Sequence, residues 1–79
     1  MVTDEALAKV IAAVLDLDPG SVDETTSADT VEAWDSVRHM NLVLAVEETF
    51  GITLPDEEVV ELTSFALLRA AIRERLGAG

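Results

Sequence analysis

Residues 35–51 read DSVRHMNLVLAVEETFG, a pattern that predicts an amphipathic helix from Ser36 to about Phe50. Asp35 is a favoured residue type for capping the first amide groups of a helix, and Gly51 is a favoured residue type for ending one. The apolar residues cover more than one narrow stripe: Val37, Met40, Val43, Leu44, Val46 and Phe50. A helix of this kind either lies at the centre of a bundle or leaves one side exposed for a partner.

Three further helices are predicted from apolar spacing and capping residues. The first covers about residues 3–17, the third is short and covers 56–62, and the last covers about 65–76. The predicted N-caps are Thr3 or Asp4 for the first helix and Thr63 or Ser64 for the last. The predicted inward-facing residues are Leu7, Val10, Ile11, Val14 and Leu17 in the first helix and Phe65, Leu68, Ile72 and Leu76 in the last.

A long connection, residues 18–35, separates the first two helices. Pro19 and Gly20 end the first helix, because proline cannot continue it. So long a link must be held to the bundle, and the apolar residues available for this are Val22, Val31 and Trp34. We therefore predict an all-α fold, a small four-helix bundle with three longer helices and a short third one, forming one domain over residues 1–79.

The chain is strongly acidic. Its 79 residues hold sixteen Asp and Glu against five Lys and Arg, a formal net charge of −11, and thirteen of the acids lie in residues 16–61 with Arg38 as the only base. Such a surface repels nucleic acid and attracts basic protein surfaces, so no nucleic-acid partner is expected. The apolar runs are far shorter than the roughly 20 residues that span a bilayer. With no signal peptide predicted, we expect a cytoplasmic monomer.

Few residues offer catalytic chemistry. The chain has no cysteine and a single histidine, His39, so neither a thiolate nucleophile nor a histidine-pair metal site is predicted. Ser36 and His39 can touch on one helix, but a chain of this size has nothing further to orient them or to bind a substrate. We therefore predict no enzyme activity and no metal site, and we interpret His39 as a surface residue.

Ser36 has two interpretations. An Asp-Ser pair at the start of a helix is ordinary capping chemistry. A helix N-terminus also stabilises a phosphate, because its free amide groups and the positive end of its dipole face the anion. An exposed serine at this point can therefore carry a phosphate-linked group. Since the chain has no thiol of its own, it could hold a thioester only through such a group.

The sequence resembles the acyl carrier proteins. The similarity begins with Asp-Ser-Val at 35–37, which opens a helix ending in Glu-Glu-Thr-Phe at 47–50. It continues through Pro-Asp-Glu-Glu at 55–58 and Thr-Ser at 63–64, and it spans essentially the whole chain. The Asp-Ser element alone is a weak motif, whereas the combination of these elements is specific.

The resemblance implies that Ser36, next to Asp35, carries 4′-phosphopantetheine, transferred from coenzyme A by a phosphopantetheinyl transferase that uses magnesium. The thiol of this arm would hold an acyl thioester and present it to acyl-loading and acyl-processing enzymes with basic docking patches, while the carrier itself catalyses nothing. The docking residues it implies are Asp35, Val37, Arg38, Met40, Leu44, Glu47, Glu48, Glu57 and Glu58. It also implies an interior that can shelter a short acyl chain.

Some residues depart from the familiar fatty-acid carriers. Arg38 and Asn41 stand where acids are common, and Val37 replaces a leucine. Arg38 would pair with the phosphate or exclude partners that present an arginine there. Trp34 stands where small residues are typical. We interpret it as the anchor of the long loop, with substrate contact as the alternative.

These departures favour a specialised carrier of polyketide, peptide or sugar-modifying pathways. The Met1 start and the Gly-Ala-Gly end at 77–79 fit a stand-alone chain. Two other functions stay open. One is an aminoacyl or peptidyl carrier with the same arm, and the other is an acidic helical interaction module with no attached group.

Overall fold

The computed structural model describes residues 2–77, with side chains from residue 4 onward. Its elements are α1 (Val2–Leu15), a 3₁₀ turn (Pro19–Ser21), α2 (Ser36–Phe50), α3 (Asp56–Val59) and α4 (Phe65–Arg75). No strand forms within 2–77, where a single isolated bridge pairs Ser27 with Ser64. The predicted all-α bundle of three longer helices and a short third one is confirmed. The predictions made on Met1, Ala78 and Gly79 lie outside the described residues.

α2 begins and ends where its capping residues predict. The Asp35 carboxylate accepts the Arg38 amide hydrogen at 2.9 Å (N···O), a cap of the kind that stabilises a helix by about 1 kcal/mol. Gly51 has a φ of 66°, and its N–H donates to the Glu47 carbonyl. This left-handed conformation is strained for residues with a Cβ, which explains why glycine stands there. Both predicted ends of α2 are confirmed.

α1 begins earlier than predicted. It starts at Val2, so Thr3 and Asp4 lie inside the first turn, and the prediction that one of them is the N-cap is wrong. The Asp4 carboxylate instead pairs with Arg69 and Arg73 of α4, with N···O distances of 3.4 and 3.3 Å. Asp4 therefore links α1 to α4 while it lies near the positive end of the α1 dipole.

α1 also ends two residues earlier than predicted. The chain leaves the helix after Leu15 because Asp16 takes a left-handed conformation with a φ of 57°. The Leu17 N–H then donates to the Ala12 carbonyl at 2.8 Å, which satisfies a carbonyl of the last turn. Aspartate tolerates this conformation better than most residues, so the helix stops before the chain reaches Pro19.

The last two helices are shorter than predicted. α3 ends at Val59 rather than Leu62, because the amides that follow bond to the carbonyl three residues back, as in a 3₁₀ turn, and the Glu61 N–H donates to the Glu58 carbonyl. The chain nevertheless turns on, and the Leu62 N–H donates to the Val59 carbonyl at 3.1 Å. α4 begins after Ser64, whose hydroxyl accepts the Leu67 N–H, so the Ser64 alternative for its N-cap is confirmed.

Side chains from α1, α2 and α4 form the centre of the core. The fully buried ones are Leu7, Ile11 and Leu15 of α1, Leu42 and Val46 of α2, and Leu68 and Ile72 of α4. One prediction needs correction: Leu76 is 48% exposed and lies beyond the end of α4 at Arg75. Val10, Val14 and Leu17 are half-buried and pack against the core, as the predicted apolar stripe requires.

The long loop is ordered by local turns and by contacts with α4. The predicted anchors are confirmed for Val22 and Trp34, which are buried, and Val31 is half-buried and packs against the core. The Phe65 N–H donates to the Thr26 carbonyl, and the Ala28 N–H donates to the Thr63 carbonyl, both at 2.9 Å. The loop is therefore fixed on the start of α4 before it reaches α2.

One turn of this loop is built on Asp23. Its carboxylate accepts hydrogen bonds from the Thr25 hydroxyl and the Thr25 amide, and these bonds lower the pKa of Asp23 below its usual value. A lowered pKa means that the folded turn favours the ionised carboxylate. The hydrogen bonds to Thr25 therefore stabilise the fold fully at a pH above the ordinary pKa of aspartate. This stabilisation is lost as the pH falls through the lowered pKa that Asp23 has in the folded protein.

Candidate functional site

Ser36 is an exposed residue at the first position of the longest helix described. Its amide and that of Val37 have no acceptor within the helix, because the first turn of any helix leaves such groups unpaired. Among these first amides, the Asp35 carboxylate accepts a hydrogen bond only from that of Arg38. Within the described residues the Ser36 hydroxyl makes no hydrogen bond. The serine is therefore accessible, and an anion attached to it would face free donors and the positive end of the α2 dipole.

His39 joins three segments beside Ser36, so its interpretation as a surface residue is wrong. The Trp34 indole Nε1–H donates to His39 Nδ1 at 3.0 Å, and His39 Nε2 lies 2.7 Å from the Val59 carbonyl oxygen. The indole and imidazole rings stack with centroids 6.2 Å apart. Trp34 is only 4% exposed, which confirms that it anchors the loop. We call the contacts from Trp34 through His39 to Val59 the bridge. The sequence offers no signal for it, because it depends on where α3 lies.

A groove of about 490 Å³ opens next to the serine. Its lining residues come from the loop, the start of α2, and the region of α3: Ala28, Trp34, Asp35, Ser36, His39, Met40, Val60 and Thr63. Most of these side chains are apolar or aromatic. A flexible group attached to Ser36 would therefore find an apolar surface within its immediate reach.

The wide apolar surface of α2 is divided between the core and the solvent. Leu42, Val43 and Val46 are buried, and Leu42, which was not in the predicted apolar set, is fully buried on the core side of the helix. Val37, Met40 and Leu44 are 71%, 50% and 59% exposed, as is Val60, at 70%, beside α3. We call Val37, Met40, Leu44 and Val60 the apolar patch. Both alternatives for α2 thus apply, each to a different side of the helix.

The acidic residues near this surface have different roles. Glu47 accepts the Leu54 N–H at 2.7 Å, and Glu58 pairs with Arg75 of α4, so both carboxylates are already engaged inside the protein. Glu48 and Glu57 are exposed, with no ion pair among the described residues. Of the four glutamates predicted to take part in docking, Glu48 and Glu57 thus face solvent without an internal partner among the described residues.

Magnesium or sodium chloride is expected to raise the melting temperature. Thirteen acids and one base lie within residues 16–61, and screening reduces their mutual repulsion in the folded state. A gain of about 1 kcal/mol would raise the melting temperature by roughly 4–8 °C in a domain of this size. Thermal melts with and without salt measure it. The double variant Glu48→Gln/Glu57→Gln should show a smaller rise, and identical wild-type melts would contradict the expectation.

In the part of the chain that the structure describes, no group of acidic or histidine side chains is placed to hold a metal ion. Over the same residues, no helix is long and apolar enough to cross a membrane.

The sequence profile of the phosphopantetheine attachment site family matches residues 5–72. The chain is 35% identical over 74 residues to an acyl carrier protein of Phenylobacterium zucineum, and the match covers 94% of each chain. The chain belongs to the acyl carrier protein family. It is also 37% identical over 59 residues to an acyl carrier protein of Thermosynechococcus vestitus, with 73% of this chain and 72% of that protein covered.

Two further comparisons place this carrier among known proteins. The solution structure of a holo acyl carrier protein from Geobacter metallireducens superposes with a TM-score of 0.84 at 31% identity, covering 99% of this chain and 90% of that one. The chain is also 35% identical over 72 residues to clavatol synthase of Penicillium crustosum, covering 90% of this chain but only 3% of that protein. The predicted family and its cofactor, 4′-phosphopantetheine, are confirmed.

The site around Ser36 fits this cofactor. A phosphodiester on an exposed serine needs nearby donors, which the unpaired amide groups of Ser36 and Val37 can supply. The pantetheine chain needs an adjacent surface to pack on, and the mostly apolar groove beside Trp34 and Met40 offers one. When bound, the cofactor supplies the thiol that the sequence lacks.

Proposed function

We propose that Ser36 is the attachment residue for 4′-phosphopantetheine and that this carrier holds an acyl group as a thioester at the end of the arm. The observation that carries the proposal is the exposed Ser36 hydroxyl at the N-terminus of α2, next to a groove of about 490 Å³, inside the span of the family match. The carrier presents its cargo to other enzymes and catalyses no reaction of its own.

The attachment reaction requires little of the carrier itself. The Ser36 oxygen attacks the phosphorus that bears the pantetheine chain of coenzyme A, and the bond from that phosphorus to the bridging pyrophosphate oxygen breaks. Adenosine 3′,5′-bisphosphate leaves, and the serine proton passes to the transferase. The single histidine of the chain, His39, is engaged with Trp34 and Val59, so the base must come from the transferase. The carrier supplies an accessible hydroxyl and a surface on which the transferase docks.

Arg38 is a candidate partner for the attached phosphate. It is exposed two residues after Ser36, and its Nη1 makes only a long hydrogen bond, 3.4 Å, to the Ala33 carbonyl. Breaking that bond to reach a phosphate would therefore change little in the fold. A cation here also disfavours partners that present an arginine at the same point of contact, so Arg38 contributes to partner choice.

We propose that partner enzymes dock on the apolar patch and on the exposed carboxylates Glu48 and Glu57. The patch lies on the solvent side of α2 and continues to Val60 beside α3, and two of its residues, Met40 and Val60, also line the groove. Glu47 and Glu58 have partners inside the protein and take a smaller part in docking. The phosphopantetheinyl transferase and the acyl-loading and acyl-processing enzymes would meet this surface with apolar and basic residues.

Leu44→Ala is expected to weaken docking without destabilising the carrier. Leu44 is 59% exposed in the free protein, and burying such a side chain in an interface contributes about 1–2 kcal/mol, equivalent to roughly a 5- to 30-fold change. The steady-state kcat/KM of a transferase with varied carrier concentration measures this change. Leu67→Ala is the matched control, since Leu67 is 47% exposed on α4 and outside the patch. Equal losses in both variants would exclude the patch as the docking surface.

The cargo belongs to specialised biosynthesis under this proposal. The match to a segment of clavatol synthase supports it, as does Trp34, which differs from the small residue typical of fatty-acid carriers. We place the carrier, as one domain, in the cytoplasm, where coenzyme A is available to the transferase. The net charge of −11 favours a monomer, because two copies of an acidic surface repel each other.

Intact mass spectrometry tests the proposal. The carrier is incubated with coenzyme A, magnesium and a promiscuous phosphopantetheinyl transferase, and the modified peptide is then sequenced. A gain of one phosphopantetheinyl group on Ser36 supports the attachment site, and subsequent loading from acyl-coenzyme A or aminoacyl donors separates an acyl from an aminoacyl carrier. No gain in a folded protein with an active transferase would instead favour an interaction module without an attached group.

A further inference from the structure

We infer that His39 is a positioning residue whose neutral ring fixes Trp34 in the groove wall, and that protonation of this ring releases Trp34 while α3 stays attached. The inference concerns the shape of the groove and goes beyond the proposed function of Ser36. It rests on the bridge from Trp34 through His39 to Val59, which joins the loop, α2 and α3.

The hydrogen bonds determine which tautomer the bridge requires. An indole Nε1–H can only donate, so His39 Nδ1, at 3.0 Å, must be an acceptor without a hydrogen. The hydrogen of the neutral ring is then on Nε2, from which it donates to the Val59 carbonyl oxygen at 2.7 Å. Both nitrogens of the neutral ring are therefore satisfied in this arrangement, and only in this tautomer.

The bridge holds elements that have few other polar ties. α3 has only four residues and no side-chain cap, and its other long-range polar contact is the Glu58–Arg75 pair. Trp34 makes no other side-chain hydrogen bond among the described residues. Trp34 and Val60 both line the groove, one from the loop and one beside α3. The position of His39 therefore affects both walls of the groove next to Ser36.

Protonation changes the two halves of the bridge in opposite directions. A second hydrogen on Nδ1 would point at the indole N–H, which replaces a hydrogen bond by a contact between two donors. The Nε2–H stays a donor to the Val59 carbonyl and becomes a charged one, which strengthens that bond. The expected result is a one-sided release in which Trp34 leaves the ring and α3 stays.

The charged side chains near the bridge make no polar contact with the His39 ring among the described residues. Asp35 and Arg38 lie on α2, Glu32 lies on the loop before Trp34, and Glu58 and Glu61 lie in α3 and the turn that follows. Among the described residues, none forms an ion pair or a side-chain hydrogen bond with the imidazole.

The wild-type protein offers a direct readout because Trp34 is its only tryptophan and His39 its only histidine. We would record the Trp34 indole N–H resonance and its fluorescence between pH 8 and pH 5. The indole resonance is expected to move upfield, and the fluorescence to change with the same midpoint, as the hydrogen bond is lost. An unchanged indole signal over this range, or ring nitrogen shifts showing a hydrogen on Nδ1 at pH 8, would overturn the inference.

Two variants separate the halves of the bridge. His39→Asn places an amide oxygen near the Nδ1 position, so Trp34 should stay bonded and show no pH step. His39→Gln places its amide nearer the Nε2 position, so Trp34 should be released at every pH. Glu32→Gln and Glu61→Gln should keep the wild-type titration. A merely structural histidine would lower the melting temperature in both His39 variants without this contrast, and a pH step that persists in His39→Asn would also refute the inference.

Discussion

Ser36→Ala is expected to abolish phosphopantetheine loading completely and to leave the fold intact. The hydroxyl is the atom that would form the phosphodiester, and no other group at the start of α2 can replace it. It is exposed and has no hydrogen-bond partner among the described residues, so the fold does not depend on it. Alanine is a good helix former, and the change in stability should stay within about 0.5 kcal/mol. Intact mass after transferase treatment and a thermal melt measure the two effects.

Ser64→Ala is the matched control for this variant. Ser64 also stands at the start of a helix, but its hydroxyl accepts the Leu67 N–H at 3.1 Å and caps α4. Removing this cap should cost about 1 kcal/mol of stability while loading continues at the wild-type level. The two serines thus predict opposite results in the two assays. A phosphopantetheinyl gain in Ser36→Ala, or loss of loading in folded Ser64→Ala, would contradict the assignment.

The local chemistry of α2 made its bounds predictable from sequence. Asp35 and Gly51 act within one turn of the helix ends, so their effect depends little on the rest of the chain. The end of α1 depends on a less specific choice. Asp16 is not the residue most often found in a left-handed position, and Pro19, three residues later, gave the stronger stop signal.

The position of the attachment residue was predictable, whereas the environment around it was not. Ser36 follows from a motif within one segment, but its groove is made by residues from the loop, α2 and the region around Val60. Glu47 and Glu58 read as free docking acids in the sequence, yet each finds an intramolecular partner, the Leu54 amide and Arg75. Such pairings depend on tertiary contacts, which an apolar period or a capping pattern does not encode.

Leu42→Ala and Leu44→Ala are expected to separate stability from docking on the same helix. Leu42 is fully buried, so its truncation leaves a cavity and costs about 3 kcal/mol, a large share of the roughly 5 kcal/mol expected of a domain this small. Leu44 is 59% exposed, so its truncation should change stability by no more than about 0.5 kcal/mol. Urea unfolding at 25 °C measures both free energies, and the slope with urea should stay the same in all three proteins.

The transferase assay should rank the same two variants in the reverse order. At a temperature where Leu42→Ala is still mostly folded, its kcat/KM should match the wild type once the folded fraction is counted, since the side chain does not reach the surface. Leu44→Ala should lose roughly 5- to 30-fold because it removes part of the apolar patch. If the two leucines lowered stability equally, the burial pattern of α2 would be wrong. If they lowered loading equally, docking would not occur on the solvent side of α2, and the acidic residues of α3 would become the surface to test next.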